Sequence, residues 1–242
     1  MWGAIRRSLA TTADLLLPPV CHLCDQALPA QLDLPGFCLS CLADFPPLSP
    51  ARCSRCACPF VGTSEDRHLC GSCLQIPPAF SHVYALGQHD GALCEAINRV
   101  KYRNRLDLAT LLGKLLAEDL TDQGLGQWPD LLLPVPLQRK RLRSRGYNQA
   151  AELARPIAKI LQRPLMTDWL RRTRHTPPQQ GLNAEQRRLN QRDSFICSGS
   201  IANQKILLID DVMTTGETAR ECSRVLQDAG ATEIRVAVVT RA

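Results

Sequence analysis

Two adjacent carboxylates and a run of hydroxyls follow an unbroken apolar stretch late in the sequence. The stretch covers residues 206–209, and Asp210 and Asp211 come directly after it. A helical pattern then begins behind a short loop, and backbone amides at a helix N-terminus, joined by hydroxyl donors, form a cradle for phosphate. Carboxylates only accept hydrogen bonds, so the aspartate pair suits two neighbouring sugar hydroxyls. The predicted cradle residues are Thr214, Thr215, Gly216, Glu217 and Thr218.

Eight cysteines in the first third of the sequence form two matched sets. Each set reads Cys-x-x-Cys, thirteen residues, Cys-x-x-Cys, and the second set is the first displaced by 32 positions. Two such pairs complete the tetrahedral sulfur shell that zinc favours in structural sites. We therefore predict two structural zinc ions, whose ligation supplies folding free energy to segments too short to bury a core. The ligands are Cys21, Cys24, Cys38 and Cys41 for one ion, and Cys53, Cys56, Cys70 and Cys73 for the other.

Other uses of these cysteines compete with two separate zinc ribbons. A disulfide framework is disfavoured because we find no secretory signal and the cysteines precede a domain of cytosolic type. A thioredoxin-like redox role needs one Cys-x-x-Cys pair, whereas this sequence has four. An interleaved pairing, in which the two sites share ligands across the repeat, stays open. Cys58, His22 and His68 are further available ligands.

Apolar runs alternate with helical patterns beyond Pro77 and Pro78, where the composition changes. Runs at 83–86, 131–135, 206–209 and 234–240 predict strands, and patterns at 93–101, 106–120, 148–161 and 217–229 predict helices. This alternation is typical of an α/β domain, a mostly parallel sheet flanked by helices, which binds ligands at the carboxyl ends of its strands. We expect an amphipathic N-terminal segment over 1–20, a double zinc ribbon over 21–78 and the α/β domain over 79–242.

Composition limits the classes of protein to consider. The 242 residues are 45% hydrophobic and carry a formal net charge of +6, which is typical of a folded globular protein and compatible with an anionic ligand. No apolar run approaches the ~20 residues of a membrane helix. Asp14 interrupts the short apolar part of the N-terminal stretch. We therefore expect no membrane span, no signal peptide and a cytoplasmic location.

The segment 206–218 resembles the 5-phosphoribosyl-1-pyrophosphate (PRPP) signature of type I phosphoribosyltransferases: four apolar residues, Asp-Asp and a Thr-Thr-Gly loop. Over nearly its whole length the sequence resembles the ComF family of competence-associated proteins. That resemblance rests on the cysteine ribbons together with Lys101-Tyr102, Val135-Pro-Leu137, Arg145-Gly-Tyr-Asn-Gln149 and Arg187-x-x-Asn190. It implies a type I phosphoribosyltransferase fold with an N-terminal double zinc-ribbon module.

The resemblance also implies roles for individual residues. Val135 and Pro136 would form the pyrophosphate loop, with Lys101 and Arg145 beside it. The catalytic residues would be Asp210, Asp211 and Arg145. Residues 171–192, which are polar and lack an apolar periodicity, would form a flexible hood over PRPP, although a solvated linker has the same composition. Its candidate contacts are Arg172, Gln180, Arg187 and Asn190.

The implied reaction is transfer or exchange of a phosphoribosyl group between PRPP, bound with Mg²⁺, and an unknown nitrogenous base. Two other functions compete with it. The protein could keep the phosphate cradle as a PRPP or nucleotide sensor without catalysis. It could also hold single-stranded DNA, or bind proteins of the competence machinery, through its ribbons and the basic run Arg139, Lys140 and Arg141, which otherwise forms a solvated face.

Overall fold

The computed structural model describes residues 18–29, 36–62, 68–173 and 194–242. Most of the predicted N-terminal amphipathic segment lies outside these residues, as do the hood residues Gln180, Arg187 and Asn190. Within the described ranges, no helix is both long and apolar enough to cross a lipid bilayer.

A four-stranded parallel sheet forms the centre of the α/β part, in the order β1-β6-β5-β2. Its strands are β1 (His82–Gln88), β2 (Leu131–Pro134), β5 (Lys205–Met213) and β6 (Glu233–Arg241). A short antiparallel hairpin of β3 (Leu170–Arg172) and β4 (Phe195–Cys197) stands apart from the sheet. The helices are α1 (Leu39–Ala43), α2 (Gly71–Gln75), α3 (Gly91–Tyr102), α4 (Leu106–Asp122), α5 (Arg139–Arg145), α6 (Gln149–Leu161) and α7 (Glu217–Asp228).

The sheet separates two hydrophobic cores because side chains alternate along each strand. In β5, Leu207 and Ile209 face the core formed with α3, α4 and α6, whereas Ile206 and Leu208 face the core formed with α7. All four side chains are fully buried. A strand covered on both faces needs apolar residues at every position, which explains the unbroken run in the sequence.

The two cysteine modules pack on opposite faces of this sheet. Cys21, Cys38 and Cys41 of the first module belong to the core of α3, α4 and α6, and Cys53 and Cys73 of the second belong to the core that contains the apolar side of α7. The chain passes between the modules along the edge strand β1. The duplicated sequence therefore occupies two different environments.

The predicted strands and helices of the α/β part match the observed elements closely, with two corrections. The basic run forms helix α5, which the sequence patterns did not predict, and its residues are largely exposed, as expected of a solvated face. Its lack of an apolar stripe left no periodic signal for a helix. The predicted hood segment was also too long at its start, because Arg171 and Arg172 belong to β3, where backbone pairing with β4 orders them.

The contact between β1 and the linker joining the two modules can be tested at Gly87. A Cβ atom at this position would lie 2.2 Å from the backbone oxygen of Pro46, and that oxygen also accepts a hydrogen bond from the Gln88 amide at 2.9 Å. We expect Gly87→Ala to lower the free energy of unfolding by about 1–3 kcal/mol, because the backbone must shift to relieve the overlap. Urea denaturation monitored by circular dichroism measures this change.

Gly126→Ala is the matched control for this substitution. The nearest atom to a Cβ at Gly126 is the Thr121 Cγ2 at 3.9 Å, an ordinary contact distance. Equal stabilities of the two variants would contradict the close approach of the linker to β1.

Candidate active site and zinc centres

The cysteine sulfurs converge in the two groups that the spacing predicts. Within each group all four Sγ atoms lie within 4.8 Å of one another. Cys24 and Cys38 approach to 3.6 Å between their sulfurs, as do Cys56 and Cys70. Four Zn–S bonds of about 2.3 Å at tetrahedral angles place neighbouring sulfurs about 3.8 Å apart. The groups fit two structural zinc ions, and each ion takes its ligands from one repeat, which rules out the interleaved pairing.

At one ligand of each group, hydrogen bonds to sulfur favour the thiolate form that zinc requires, whereas burial raises the pKa of Cys41 and Cys73. A contact with the Ser40 hydroxyl, then the Cys41 amide, lowers the pKa of Cys38 to about 6. Burial raises the pKa of Cys53, but the amides of Cys56 and Cys70 outweigh it and lower that pKa to about 6. These amides belong to the Cys-x-x-Cys turns that carry the ligands, here called the zinc knuckles. The local backbone therefore helps to set the charge of the ligands.

The three spare ligand candidates lie outside both groups. His22 Nδ1 is 2.5 Å from the Asp107 carboxylate, and His68 stacks on Phe60 with ring centroids 4.3 Å apart. Cys58 Sγ lies 3.7 Å from the carbonyl oxygen of Pro59. These side chains support the ribbons from outside the sulfur shells.

A cleft of about 810 Å³ opens at the carboxyl ends of β2 and β5. It collects side chains from segments far apart in the sequence, since α3, the loop after β2, α5, α6, β3 and β5 all contribute to its walls. Among the predicted site residues it is lined by Lys101, Val135, Pro136, Arg145, Arg172, Asp210, Asp211 and Thr218. Parallel strands bring these positions together because their carboxyl ends share one edge.

The aspartate pair occupies the last part of β5. Asp211 is 6% exposed, and its carboxylate lies 3.0 Å from Lys101 Nζ and accepts a hydrogen bond from Gln149 Nε2 at 3.4 Å. Burial, and after it the neighbouring Asp211 carboxylate, raise the pKa of Asp210 well above its usual value. The carboxylate of Asp211 is therefore paired with an ammonium group. The negative charge of Asp210 is disfavoured unless a cation or a hydrogen-bond donor lies beside it.

The predicted phosphate cradle forms the turn between β5 and α7. Gly216 has a φ of +81° and precedes α7, while Thr214 and Thr215 are exposed. The positive φ favours glycine here, and a Cβ atom at this position would also displace the flexible end of Met213, whose Cε would lie 2.5 Å away. The first amides of α7 have no partners within the helix and remain available to an anion, while Glu217 lies in the first turn, partly exposed.

The opposite wall of the cleft is the loop after β2. The Val135 amide donates to the Ile209 carbonyl at 2.8 Å, and the Val135 carbonyl accepts from Asn148 Nδ2 at 3.0 Å. Asn148 also caps α6, because its Oδ1 accepts from the Ala150 amide at 3.1 Å. Both polar backbone groups of Val135 are thus hydrogen-bonded, which fixes the start of the loop.

Two buried polar atoms in the cleft have no hydrogen-bond partner in the described part of the chain. They are Arg145 Nη1 and Gln149 Oε1. Buried polar atoms are costly unless they are hydrogen-bonded, so such a pair in one cleft points to a ligand that supplies both an acceptor and a donor. Arg145 stands 5.8 Å above the ring of Tyr102, which is 77% exposed.

Sequence reasoning missed part of this arrangement. Asn148 and Gln149 belong to the Arg145–Gln149 motif, but neither was assigned a role from the sequence. In the structure Asn148 binds the loop after β2, and Gln149 contacts Asp211. Asn148 could have been found from its capping position ahead of the predicted helix. Of the predicted hood residues only Arg172 lies within the described ranges, where burial lowers its pKa and its guanidinium lies 5.1 Å from the Phe195 ring centroid.

The two sulfur groups can be tested by zinc content. We expect two zinc ions per wild-type chain, and one in Cys38→Ser or in Cys70→Ser, because each substitution removes a ligand of one group only. Elemental analysis of the purified protein measures this stoichiometry. Cys58→Ser is the control, since Cys58 lies outside both groups and its loss should leave two ions bound. A reduced zinc content in this control would refute the two ligand sets.

Comparison with known proteins agrees with this architecture. A double zinc ribbon domain model matches residues 12–74, and a phosphoribosyl transferase domain model matches residues 146–242. A hypoxanthine phosphoribosyltransferase structure from Staphylococcus aureus is 17% identical, with a TM-score of 0.36 over 54% of this chain and 61% of its own.

Two full-length relatives extend the comparison. The DNA utilization protein YhgH of Escherichia coli O157:H7 is 31% identical over 92% of this chain and 96% of its own length. Competence protein F of Haemophilus influenzae is 30% identical over 85% of this chain and 96% of its own length. With its double zinc ribbon and its phosphoribosyltransferase domain, the chain belongs to the family of these two proteins, the ComF family.

Proposed function

We propose that the cleft binds PRPP together with Mg²⁺ and that the protein transfers or exchanges its phosphoribosyl group with a nitrogenous base. The observation that carries this proposal is the pair of unpartnered buried atoms, Arg145 Nη1 and Gln149 Oε1, in the cleft that the aspartates also line. A ligand with both anionic oxygens and hydroxyl groups would satisfy the two atoms at once.

The chemistry of the cleft walls supports an orientation for PRPP. The turn of residues 214–218 would hold the 5-phosphate through backbone amides and threonine hydroxyls. Asp210 and Asp211 would accept hydrogen bonds from the ribose hydroxyls. The pyrophosphate would then lie against Val135 and Pro136, with Arg145 beside it as a donor to anionic oxygens.

The residues present fit a magnesium ion. Mg²⁺ prefers oxygen ligands and keeps several of its waters, and it is bound in proteins by one or two carboxylates together with substrate phosphates. Burial and the charge of Asp211 disfavour the ionised form of Asp210, and a cation beside this carboxylate would offset both effects. Asp210 and Asp211 are the residues that would hold the ion, which supplies positive charge to the bound pyrophosphate.

The proposed reaction forms a bond between a base nitrogen and ribose C1 and breaks the bond between C1 and the pyrophosphate oxygen. The nitrogen supplies the new electron pair, and pyrophosphate leaves with the old one. Arg145 would stabilise the negative charge that develops on the leaving oxygens. Lys101 would hold Asp211 in place through their ion pair, so that the aspartate pair is already oriented when the ribose binds.

The proposal includes a cytoplasmic location and small-molecule partners, PRPP and a base. Thiolate ligands need a reducing compartment to stay available for zinc, and the cytoplasm provides one. The cysteine residues of both groups are free of disulfide bonds.

PRPP binding can be measured by isothermal titration in the presence of Mg²⁺. We expect the wild type to bind PRPP and the double variant Asp210→Asn, Asp211→Asn to lose this binding, because neutral amides cannot replace two carboxylates toward ribose hydroxyls and a cation. Asp122→Asn is the control, since this aspartate is exposed at the end of α4. Circular dichroism and zinc content show whether the variants are folded.

The outcomes of this titration separate the competing functions. Binding by the wild type with no pyrophosphate release on any base would support a sensor rather than an enzyme. No binding by a folded protein with both zinc ions would contradict the proposal and favour a macromolecular partner, such as single-stranded DNA.

A second test asks whether Arg145 stabilises the departing pyrophosphate. We expect Arg145→Ala to lower kcat for pyrophosphate release about 10²- to 10³-fold, as loss of one charge-stabilising donor does in other active sites. Arg143→Ala removes an exposed arginine of the same short helix and should leave kcat unchanged within about twofold. Equal rates for the two variants would remove Arg145 from the proposed chemistry.

A further inference from the structure

Arg241, at the end of β6, joins the second zinc ribbon to the start of the phosphate cradle. The residue is 3% exposed. Its Nε donates to the carbonyl of the zinc-ligand residue Cys56 at 2.9 Å. Its Nη1 donates to the carbonyl of Met213 at 3.0 Å and also to that of Thr214. One buried guanidinium thus holds a zinc knuckle and the first residues of the cradle at a set separation.

Arg220, in the first turns of α7, makes the corresponding connection on the other side of the cradle. Its guanidinium donates to the Ile76 carbonyl at 2.5 Å, to Ser72 Oγ at 3.1 Å and to the zinc ligand Cys73 at 3.5 Å. Its own amide donates to the Gly216 carbonyl at 2.9 Å, so it belongs to the turn that begins at the cradle glycine. The contact with Cys73 also orients a ligand sulfur from outside the sulfur shell.

The two connections reach different knuckles of one zinc site. Arg241 contacts the knuckle of Cys53 and Cys56, and Arg220 contacts the knuckle of Cys70 and Cys73. These knuckles are joined through the four sulfurs that converge on one point. A zinc ion bound there fixes the separation of the two knuckles and thereby of the two arginines that flank the cradle.

The first zinc ribbon is anchored to a different part of the molecule. Arg99 of α3 donates to the Leu23 carbonyl at 2.7 Å, and His22 pairs with Asp107 of α4 at 2.5 Å. These contacts lie on the other face of the sheet, in the core of α3, α4 and α6. Although the ribbons are repeats in sequence, their connections to the α/β domain differ.

We propose that the second zinc ribbon, acting through Arg241 and Arg220, positions the phosphate cradle, so that zinc at this site sets the affinity for a sugar phosphate while zinc at the first site does not. The inference rests on the proposed function, since it assigns phosphate binding to residues 214–218. Its physical basis is that several amides must converge on one phosphate, and small displacements of such groups weaken binding strongly. Arg241 and Arg220 are positioning residues that act through the cradle backbone.

Titration of ribose 5-phosphate into the full-length protein tests this proposal. We expect Arg220→Gln to weaken binding by about tenfold or more, because the cradle loses one of its two connections. Arg220→Lys should recover part of the affinity, since it keeps a cationic donor. Arg99→Gln is the matched control, because it removes the corresponding arginine connection of the first ribbon and should leave the affinity within about twofold of wild type.

The variants Cys70→Ser and Cys38→Ser test the second and the first zinc site separately. Each variant loses one ligand of one site, but only Cys70→Ser is expected to weaken ribose 5-phosphate binding. Hydrogen–deuterium exchange of the peptide covering residues 213–218 gives a readout that needs no ligand. We expect faster exchange there in Cys70→Ser and Arg220→Gln, and wild-type exchange in Cys38→Ser and Arg99→Gln.

The results distinguish failure of this inference from failure of the proposed function. If the wild type binds neither ribose 5-phosphate nor PRPP with Mg²⁺, the proposed function fails, and the exchange pattern alone still decides whether the second ribbon orders the cradle. Equal affinities and equal exchange in wild type, Arg220→Gln and Cys70→Ser would overturn the inference. Equal losses in Cys70→Ser and Cys38→Ser would also overturn it, because they would reflect general destabilisation by zinc loss.

Discussion

The hydrogen bond from the Val135 amide to the Ile209 carbonyl continues the parallel pairing of β2 with β5 beyond the end of β2. This contact extends the register of the two strands into the walls of the cleft. On one side of it lie Asp210 and Asp211, and on the other lies the loop of Val135 and Pro136. A shift of the loop by one residue would break this hydrogen bond and reverse the faces of the side chains along β2.

The charged side chains around this edge of the sheet are already arranged in the absence of a ligand. Lys101 is paired with Asp211, while Arg145 Nη1 remains without a hydrogen bond among the residues described. Keeping polar groups buried and incompletely paired costs stability. The cost is offset by the apolar cores on both faces of the sheet, which include most of the apolar side chains of β5 and β6. The cleft therefore combines walls packed on apolar cores with buried polar atoms that have no hydrogen-bond partner among the residues described.

The duplicated ribbons show how one repeat can serve two purposes. Each repeat uses the same ligand spacing and brings four thiolates together in the arrangement that zinc favours. Outside the ligands the repeats are free to differ, and each packs on its own face of the sheet. The first contacts α3 and α4, and the second contacts the turn between β5 and α7, the proposed phosphate cradle, through Arg241 and Arg220.

Short-range features of this protein were determined by the sequence alone. The spacing of the cysteines predicts two zinc sites, and the apolar run followed by Asp210, Asp211 and the glycine turn predicts a strand, a loop and a helix, because these patterns act over a few residues. The convergence of the sulfurs in the folded chain decided that each site takes its ligands from one repeat. Tertiary structure decided the rest: the pairing of Lys101 with Asp211, the meeting of Gln149 with Asp211, and the contact of Arg241 with Cys56. Helix α5, which lacks an apolar stripe, also escaped prediction. The physical reason is that side chains from distant segments meet only when sheet order, register and helix packing have been set, and none of these is encoded in local spacing.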